Sequence, residues 1–232
     1  MLIYGRNVAK EKLLNNDQID KIFLSDRFRD KEIIDLIHKN KIKYTIVPDK
    51  VLDNKVDGPH QGIVIQVDDV KTYEFDFIKN INKDNPVLVM LDHLEDPHNF
   101  GAIIRTCEAL GADAIIIPVD RSVTINSTVV KTSAGAIYNE PIVKVSNLAA
   151  TITKLKDLGY WIVGTDMNGE DYTKIDYNMP VCLVIGNEGH GMSKIVRDNC
   201  DYIAEIPMVG KINSLNASVS CAIVLSRIMI GR

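Results

Sequence analysis

The fold is decided by residues 87–117, which read VLVMLDHLEDPHNFGAIIRTCEALGADAIII. The stretch opens with the apolar run VLVML and closes with the apolar run AIII, and neither run offers a polar face to water. Strands of this kind are typical of parallel sheets, where helices cover both faces. Between the runs, Pro97 and Asn99 favour the start of a helix, and Ile104 and Cys107 mark its apolar side. The pattern predicts a strand–helix–strand unit of an α/β domain.

The same alternation continues along the rest of the chain. From residue 86 onward, strand-like runs alternate with segments whose apolar residues recur every three or four positions. The expected strands are 87–91, 114–118, 142–145, 160–164, 181–185 and 202–206, and the expected helices are 99–110, 125–134, 148–157, 192–199 and 215–230. We therefore expect residues 86–232 to form a Rossmann-like α/β domain with a parallel sheet, and its ligands to bind at the carboxyl ends of the strands.

The first part of the chain differs from this pattern. Residues 1–70 predict a small, separate α/β unit, with helical spacing at Ile33 and Ile37 followed by two short β-like runs. Residues 71–85, KTYEFDFIKNINKDN, are polar with scattered aromatics. Clusters of Asn, Lys and Asp fit a linker better than a core element, so we expect a linker there.

Composition narrows the class of protein. A hydrophobic content of 46% with 25% charged residues is ordinary for a globular chain. The net charge of −4 argues against non-specific coating of nucleic acid but allows a local basic patch. Four cysteines lie in apolar stretches without metal-ligand spacing, which predicts reduced thiols and no metal. No apolar run reaches the length of a signal peptide or a membrane span, so we expect a cytoplasmic protein that does not contact a membrane.

Three motifs carry the functional signal, and the first is the 87–117 stretch itself. Arg105 projects from the early turns of the predicted helix, where a guanidinium is placed to meet a phosphate or a carboxylate. The second is LVIGNEGHGMS, residues 183–193, in which glycines follow a buried strand and permit close approach to a ligand. Glu188 has little packing role among these glycines. The loop matches neither the dinucleotide fingerprint nor a P-loop.

The third motif is IPMVGKINSLNASVSCAIVLSRI, residues 206–228. A strand ends near Pro207, and Ser214 is placed to cap a long final helix. Each motif also has a purely structural interpretation when it is taken alone. The first is then a strand–turn–helix with a capping Asn, the second a tight turn and the third a capped terminal helix.

Together, however, the motifs resemble the SpoU (TrmH-like) family of RNA ribose 2′-O-methyltransferases. The resemblance rests on DPHNFGAIIRTCEALGAD (96–113), GNEGHGMS (186–193) and PMVGKINSLNAS (207–218), and it covers residues 86–232. Residues 1–68, with YGRNVAKEKL near the start and HQGIVIQV at the end, resemble the family's substrate-binding domain. That domain is similar to an RNA-binding fold of ribosomal proteins.

The resemblance implies a fold and a reaction that the pattern alone does not give. It implies S-adenosylmethionine as cofactor and a deep trefoil knot in the catalytic domain, although general topology rules treat knots as exceptions. The architecture is similar to the branch that methylates a guanosine of 23S ribosomal RNA, which is the substrate we expect. A transfer RNA substrate is the alternative.

The resemblance also assigns roles to individual residues. The residues expected beside the target nucleotide are Asn99, Arg105, Glu188, Ser214 and Asn216. Those expected around the cofactor are Gly164, Thr165, Gly186, Asn187, Glu188, Gly189, Ile206, Met208, Leu215, Asn216 and Ser218. An arginine stays protonated in proteins, so we interpret Arg105 as a fixed cation and leave the final base open.

Two other classes of protein remain as alternatives. A non-catalytic RNA-binding relative would be expected to lack Arg105, Glu188 or Asn216, and all three are present. A nucleotide-dependent enzyme acting on a small molecule would need a glycine fingerprint, which is missing.

The final helix suggests a homodimer built on the catalytic domain. Its apolar residues exceed what one amphipathic stripe requires, and they are Leu215, Val219, Ala222, Ile223, Val224, Ile228 and Met229. A helix buried inside one subunit is the alternative, and the resemblance favours the dimer.

Overall fold

The computed structural model describes residues 1–15, 19–67, 69–212 and 214–230. The chain divides into two compact units, Met1–Val70 and Lys71–Arg232. Within the described residues, no helix is both long and apolar enough to span a bilayer.

The first unit is a four-stranded sheet with helices. Its elements are β1 (Leu2–Tyr4), α1 (Arg6–Leu14), β2 (Lys21–Ser25), α2 (Lys31–Lys39), β3 (Tyr44–Val47), α3 (Asp49–Asp53) and β4 (Ile63–Gln66). The strand order is β1-β4-β2-β3, which leaves β3 at one edge, parallel to β2. Helix α2 begins because the Asp30 side chain accepts a hydrogen bond from the Ile33 N–H at 3.3 Å. Its buried residues, Ile33 and Ile37, are the spacing that predicted the helix.

The second unit contains a seven-stranded sheet in which every pairing is parallel. The strands are β5 (Thr72–Tyr73), β6 (Val87–Leu91), β7 (Ala114–Pro118), β8 (Ile142–Val145), β9 (Trp161–Asp171), β10 (Val181–Ile185) and β11 (Tyr202–Glu205). The strand order is β11-β9-β10-β6-β7-β8-β5. The helices are α4 (Asp76–Lys79), α5 (Pro97–Leu110), α6 (Ser127–Thr132), α7 (Leu148–Asp157), α8 (Lys194–Arg197) and α9 (Ala217–Ile230), with a 3₁₀ turn at Ala136–Tyr138. The expectation of a parallel α/β domain is confirmed.

The expectation of a linker over 71–85 is wrong for the first half of that stretch. Strand β5 pairs with β8 at the edge of the large sheet, and α4 follows it directly. Ile78 is buried in the core of the second unit, and the partly buried side chains of Tyr73, Phe75 and Phe77 pack against that core. The scattered aromatics therefore belong to the second unit, and the polar residues around them face water.

Helix α5 begins two residues earlier than the sequence predicts. The Asp96 side chain accepts a hydrogen bond from the His98 N–H at 2.9 Å, and Pro97 occupies the first turn. Asn99 is therefore not the capping residue, and its side chain is available for another partner. The helix ends at Gly111, whose φ of +82° suits glycine in a C-terminal cap.

Helix α9 packs against α5 and β10. The expectation that Ser214 caps it is wrong, because the Asn216 Oδ1 accepts the hydrogen bond from the Ser218 N–H at 2.9 Å. The buried residues of α9 are Ala217, Cys221, Val224, Leu225 and Ile228, which form one stripe. Outside that stripe, Val219 is 45% exposed and Ile230 is 79% exposed. The trefoil knot that the resemblance implies stays a prediction.

A buried acid lies before β8. Glu140 is 5% exposed, and its Oε1 has no hydrogen-bond partner among the described residues. Burial, together with the nearby carboxylates of Glu108 and Asp113, raises the pKa of Glu140 to about 8. The folded protein therefore keeps this carboxyl protonated at pH values where the unfolded chain ionises it.

The substitution Glu140→Gln tests this assignment. The folded state holds a proton that the unfolded state loses above pH 4.5, so wild-type stability falls as pH rises from about 4.5 to about 8. The amide that replaces the carboxyl carries no charge in either state. We therefore expect the substitution to raise the free energy of unfolding by about 2–4 kcal/mol at pH 8 and very little at pH 4.5. Urea titrations across this range measure the difference, and a difference that does not vary with pH would contradict the assignment.

Candidate active site

The three motifs meet at the carboxyl edge of the large sheet. Strands β9, β10 and β6 are neighbours, with Val184 opposite Gly164 and Ile185 opposite Leu91. The loop after β6 leads into α5, and the loop after β10 contains the glycines of the second motif. Carboxyl ends of parallel strands lie together, so this is the edge where α/β sheets bind ligands.

A chain of hydrogen bonds joins the motifs here. The Asn99 Nδ2 donates to the Glu188 Oε1 at 2.8 Å, and the Asn216 Nδ2 donates to the Asn99 Oδ1 at 2.8 Å. The Asn216 Oδ1 accepts from the Ser218 N–H at 2.9 Å and from the Ser218 Oγ at 2.6 Å. Asn99 is only 7% exposed, so its amide needs both partners.

The direction of these hydrogen bonds is fixed by the groups at the two ends of the series, which are Glu188 and the N-terminus of α9. An ionised Glu188 can only accept, so Asn99 must turn its NH₂ group toward it. The N-terminus of α9 presents N–H groups, so Asn216 must turn its oxygen toward Ser218. Both amide orientations follow from these constraints, and Asn99 is held with its carbonyl oxygen toward Asn216.

The glycine loop after β10 is folded tightly on itself. A Cβ on Gly186 would lie 2.4 Å from the backbone of Gly191 and of Met192, which no side chain tolerates. Asn187 and Gly191 exchange backbone hydrogen bonds at 3.0 Å and 2.9 Å. The Asn187 side chain closes the loop further, because its Oδ1 accepts from the Gly189 N–H at 2.8 Å. Glu188 is thereby held at the exposed tip of a narrow turn.

Asp92 fastens this loop to the end of β6, and sequence reasoning missed it. Asp92 is 1% exposed, and its Oδ2 accepts from the Ser193 N–H at 2.6 Å. Its Oδ1 lies 2.5 Å from the His93 Nδ1. The Asn187 Nδ2 donates to the His93 carbonyl at 2.8 Å, so the β6 and β10 loops are joined twice. An acidic residue directly after a strand that is apolar on both faces was the available signal.

Two predicted residues stand outside the hydrogen-bonded chain. Arg105 is exposed and forms no hydrogen bond or ion pair with any described residue. It lies six positions after Asn99, which places it on a different side of α5. Ser214 is likewise exposed and makes no hydrogen bond within the described part of the chain. The structure therefore brings together Asn99, Glu188, Asn216 and Ser218 and leaves Arg105 facing solvent.

The residues expected around the cofactor lie in β9, in the loop after β10, in the segment between β11 and α9, and in the first turn of α9. A Cβ on Gly164 would meet the Met192 side chain at 2.6 Å, so the second loop packs closely on β9. The Thr165 Oγ1 donates to the Val184 carbonyl at 3.1 Å. Met208 and Leu215 are 38% and 39% exposed and offer apolar surface to a flat ring. Close backbone and exposed apolar side chains suit adenosine, and no acidic or cysteine cluster fit for a metal occurs among the described residues.

Family models match almost the whole chain. The model of the SpoU rRNA Methylase family matches residues 86–226, and the model of RNA 2′-O ribose methyltransferase substrate binding matches residues 2–73. The chain belongs to the SpoU rRNA methylase family.

Similar proteins agree with this membership. The chain is 45% identical to a putative TrmH family tRNA/rRNA methyltransferase of Staphylococcus saprophyticus, over 97% of this chain and 93% of that relative. It is similar to the SpoU methyltransferase AviRb from Streptomyces viridochromogenes in complex with AdoMet, with a TM-score of 0.77, 25% identity, and 99% and 89% of the two chains covered. An AdoMet-bound rRNA methyltransferase from Sinorhizobium meliloti gives a TM-score of 0.71 and 25% identity, with 98% and 85% covered. This SpoU methylase is an S-adenosylmethionine-dependent RNA 2′-O-ribose methyltransferase.

The hydrogen bond between Asn99 and Glu188 predicts a specific rescue. Asn99→Asp replaces the donor with a carboxylate facing Glu188, so we expect it to destabilise the fold. Adding Glu188→Gln to that variant supplies a new donor and should restore stability. Urea unfolding of the wild type, both single variants and the double variant should give a coupling energy of about 1 kcal/mol or more. Additive effects of the two substitutions would contradict the contact.

Proposed function

We propose that this enzyme methylates the ribose 2′-hydroxyl of a guanosine in 23S ribosomal RNA, in the cytoplasm. The proposal is supported by the Sinorhizobium meliloti enzyme named as an rRNA methyltransferase, whose match extends over both units of the chain. The curated relative from Staphylococcus saprophyticus is named for both tRNA and rRNA, so transfer RNA is the second candidate. Ribose-methylation mapping of ribosomal and transfer RNA from a deletion strain separates them. Loss of a mark in 23S RNA supports the proposal, and loss confined to transfer RNA contradicts it.

We propose that the cofactor lies against the carboxyl ends of β9 and β10 and the segment before α9. Bound S-adenosylmethionine supplies an activated methyl group on a sulfonium. The residues proposed to hold it are Gly164, Thr165, Gly186, Asn187, Glu188, Gly189, Ile206, Met208, Leu215, Asn216 and Ser218. The close packing at Gly164 and Gly186 supports this role, since larger residues there would displace the loops.

The protein contributes orientation and charge to the transfer. We propose that Asn99, Glu188, Ser214 and Asn216 lie beside the target nucleotide. The hydrogen bonds among Asn99, Glu188 and Asn216 hold these three side chains in fixed orientations. Arg105 is proposed as a fixed cation that holds the adjacent phosphate and lowers the pKa of the 2′-hydroxyl. Its exposure, and its freedom from any partner among the described residues, support a role toward RNA.

Arg105→Ala tests this role. Loss of a preorganised charge typically lowers turnover by a factor of about a hundred or more, and we expect that loss in methyl transfer to RNA. Affinity for S-adenosylmethionine should stay within about twofold, since Arg105 is placed at the phosphate and not at the cofactor. Lys79→Ala, which removes an exposed cation from α4, is the control and should keep normal turnover. Near-normal transfer by the Arg105 variant in a tritiated-methyl assay would contradict the role.

We further propose that the enzyme is a homodimer built on its catalytic unit. Support comes from α9, which has exposed Val219 and Ile230 in addition to its buried stripe. A symmetric pair would cover these side chains and would set basic residues of one subunit beside the site of the other.

Val219→Asp tests the dimer. A charge on this face should oppose burial against a second copy while leaving the fold of one subunit intact, because Val219 is 45% exposed. We expect sedimentation equilibrium at micromolar concentration to give twice the 25.9 kDa chain mass for the wild type and a lower mass for the variant. A wild-type mass of one chain with full activity would contradict the dimer.

A further inference from the structure

The substrate-binding unit has a cleft that the roles above do not use. It lies between α2 and the edge strand β3 and has a volume of about 100 Å³. Its floor is apolar, with buried Leu24, Phe28 and Ile37. At its rim Tyr44 is 39% exposed and Ile46 is 61% exposed. The edge strand thus leaves an aromatic and an aliphatic side chain open to solvent beside an apolar cleft.

The polar rim of the cleft is held in place by local hydrogen bonds. The Arg29 Nη1 donates to the carbonyls of Asp26 and Phe28, both at 2.8 Å. The Tyr44 hydroxyl lies 3.3 Å from the His38 Nε2, and the two rings are tilted at a centroid distance of 5.8 Å. Asp26 also lines the cleft and is exposed. A guanidinium, a carboxylate and an aromatic ring therefore surround an apolar floor.

A row of cations adjoins Tyr44. Lys39, Lys41 and Lys43 lie at the end of α2 and in the segment that connects it to β3, and all three are exposed. The segment from residue 36 to residue 48 contains no acidic residue. Within the described part of the chain, none of the three lysines forms an ion pair. The chain as a whole carries a net charge of −4, whereas this segment is positively charged.

We propose that this cleft binds an unpaired nucleobase of the RNA substrate, with Tyr44 as the stacking surface. A flat ring joined to a polyanion matches an apolar cleft with an aromatic rim beside a row of lysines. The phosphates on either side of the base contact Lys39, Lys41 and Lys43, and Asp26 accepts hydrogen bonds from the edge of the base. The inference deepens the proposed function, because it names the part of the RNA that this unit contacts, and it holds for a ribosomal or a transfer RNA substrate.

Fluorescence anisotropy with the full-length protein tests the cleft. The probes are a labelled hairpin RNA with an unpaired loop and a fully paired RNA duplex of the same length. Tyr44→Ala should weaken hairpin binding about tenfold, as loss of one base–aromatic stack does, and leave duplex binding unchanged. Tyr44→Phe keeps the ring and should bind like the wild type. Val51→Ala, at a residue of α3 with a similar exposure of 37%, is the matched control and should bind normally.

Salt titrations test the lysines separately. Each lysine that contacts a phosphate of single-stranded RNA contributes about 0.7 to the slope of log affinity against log salt concentration. The double substitution Lys41→Ala with Lys43→Ala should therefore reduce the slope for the hairpin by about 1.4. An unchanged slope would remove the lysines from the proposed contact.

Two results would overturn the proposal. One is hairpin binding by Tyr44→Ala equal to that of the wild type or of Val51→Ala. The other is a lower mass of the Tyr44→Ala protein in sedimentation, which would mean that the cleft holds a second copy of the chain. Failure of the proposed function is distinguishable, because an enzyme whose substrate is transfer RNA can still bind the hairpin through Tyr44. Normal methyl transfer with no effect of Tyr44→Ala would instead reject the cleft alone.

Discussion

The hydrogen-bonded chain from Glu188 through Asn99 to Asn216 is the interaction on which the site depends. It joins residues that lie 89 and 117 positions apart in sequence. It thereby holds the first turn of α5, the loop after β10 and the segment before α9 together at one edge of the sheet. An acceptor-only carboxylate at one end and a helix N-terminus at the other fix the orientation of both amides. Burying an asparagine is costly unless both of its polar side-chain atoms have hydrogen-bond partners. All three motifs are therefore required to satisfy the side chain of Asn99.

Contacts of the loop after β10 hold the Glu188 end of this series of hydrogen bonds in place. Gly186 admits no side chain because the returning loop passes 2.4 Å from where a Cβ would lie. Asp92 accepts from the Ser193 N–H and thereby fastens the same loop to β6. Glu188 can remain exposed at the tip of the turn, since its position is set by the residues around it. Such support from neighbouring residues is what keeps a catalytic geometry within narrow limits.

Much of the second unit could be predicted from the sequence, because runs such as VLVML and VCLVI are apolar on both faces and fit a covered parallel sheet. The structure of the region after residue 70 is harder to predict from the sequence, because β5 is only two residues long. The aromatic residues in and after β5 pack against a core whose other strands come later in the sequence. Two helix caps lie two or three residues from the positions that the sequence predicts, because Asp96 caps α5 in place of Asn99 and Asn216 caps α9 in place of Ser214. Several polar residues near each helix start satisfy the same local rule, and only tertiary contacts decide between them.

The position of the transferred methyl group tests the account most directly. Full-length enzyme would be incubated with S-adenosylmethionine carrying a tritiated methyl group and with RNA from a strain lacking the enzyme, and the product would be hydrolysed in alkali. A methyl group on the ribose 2′-oxygen blocks cleavage of the next phosphodiester, so the account predicts tritium in alkali-stable dinucleotides. Tritium in mononucleotides carrying a methylated base would contradict it.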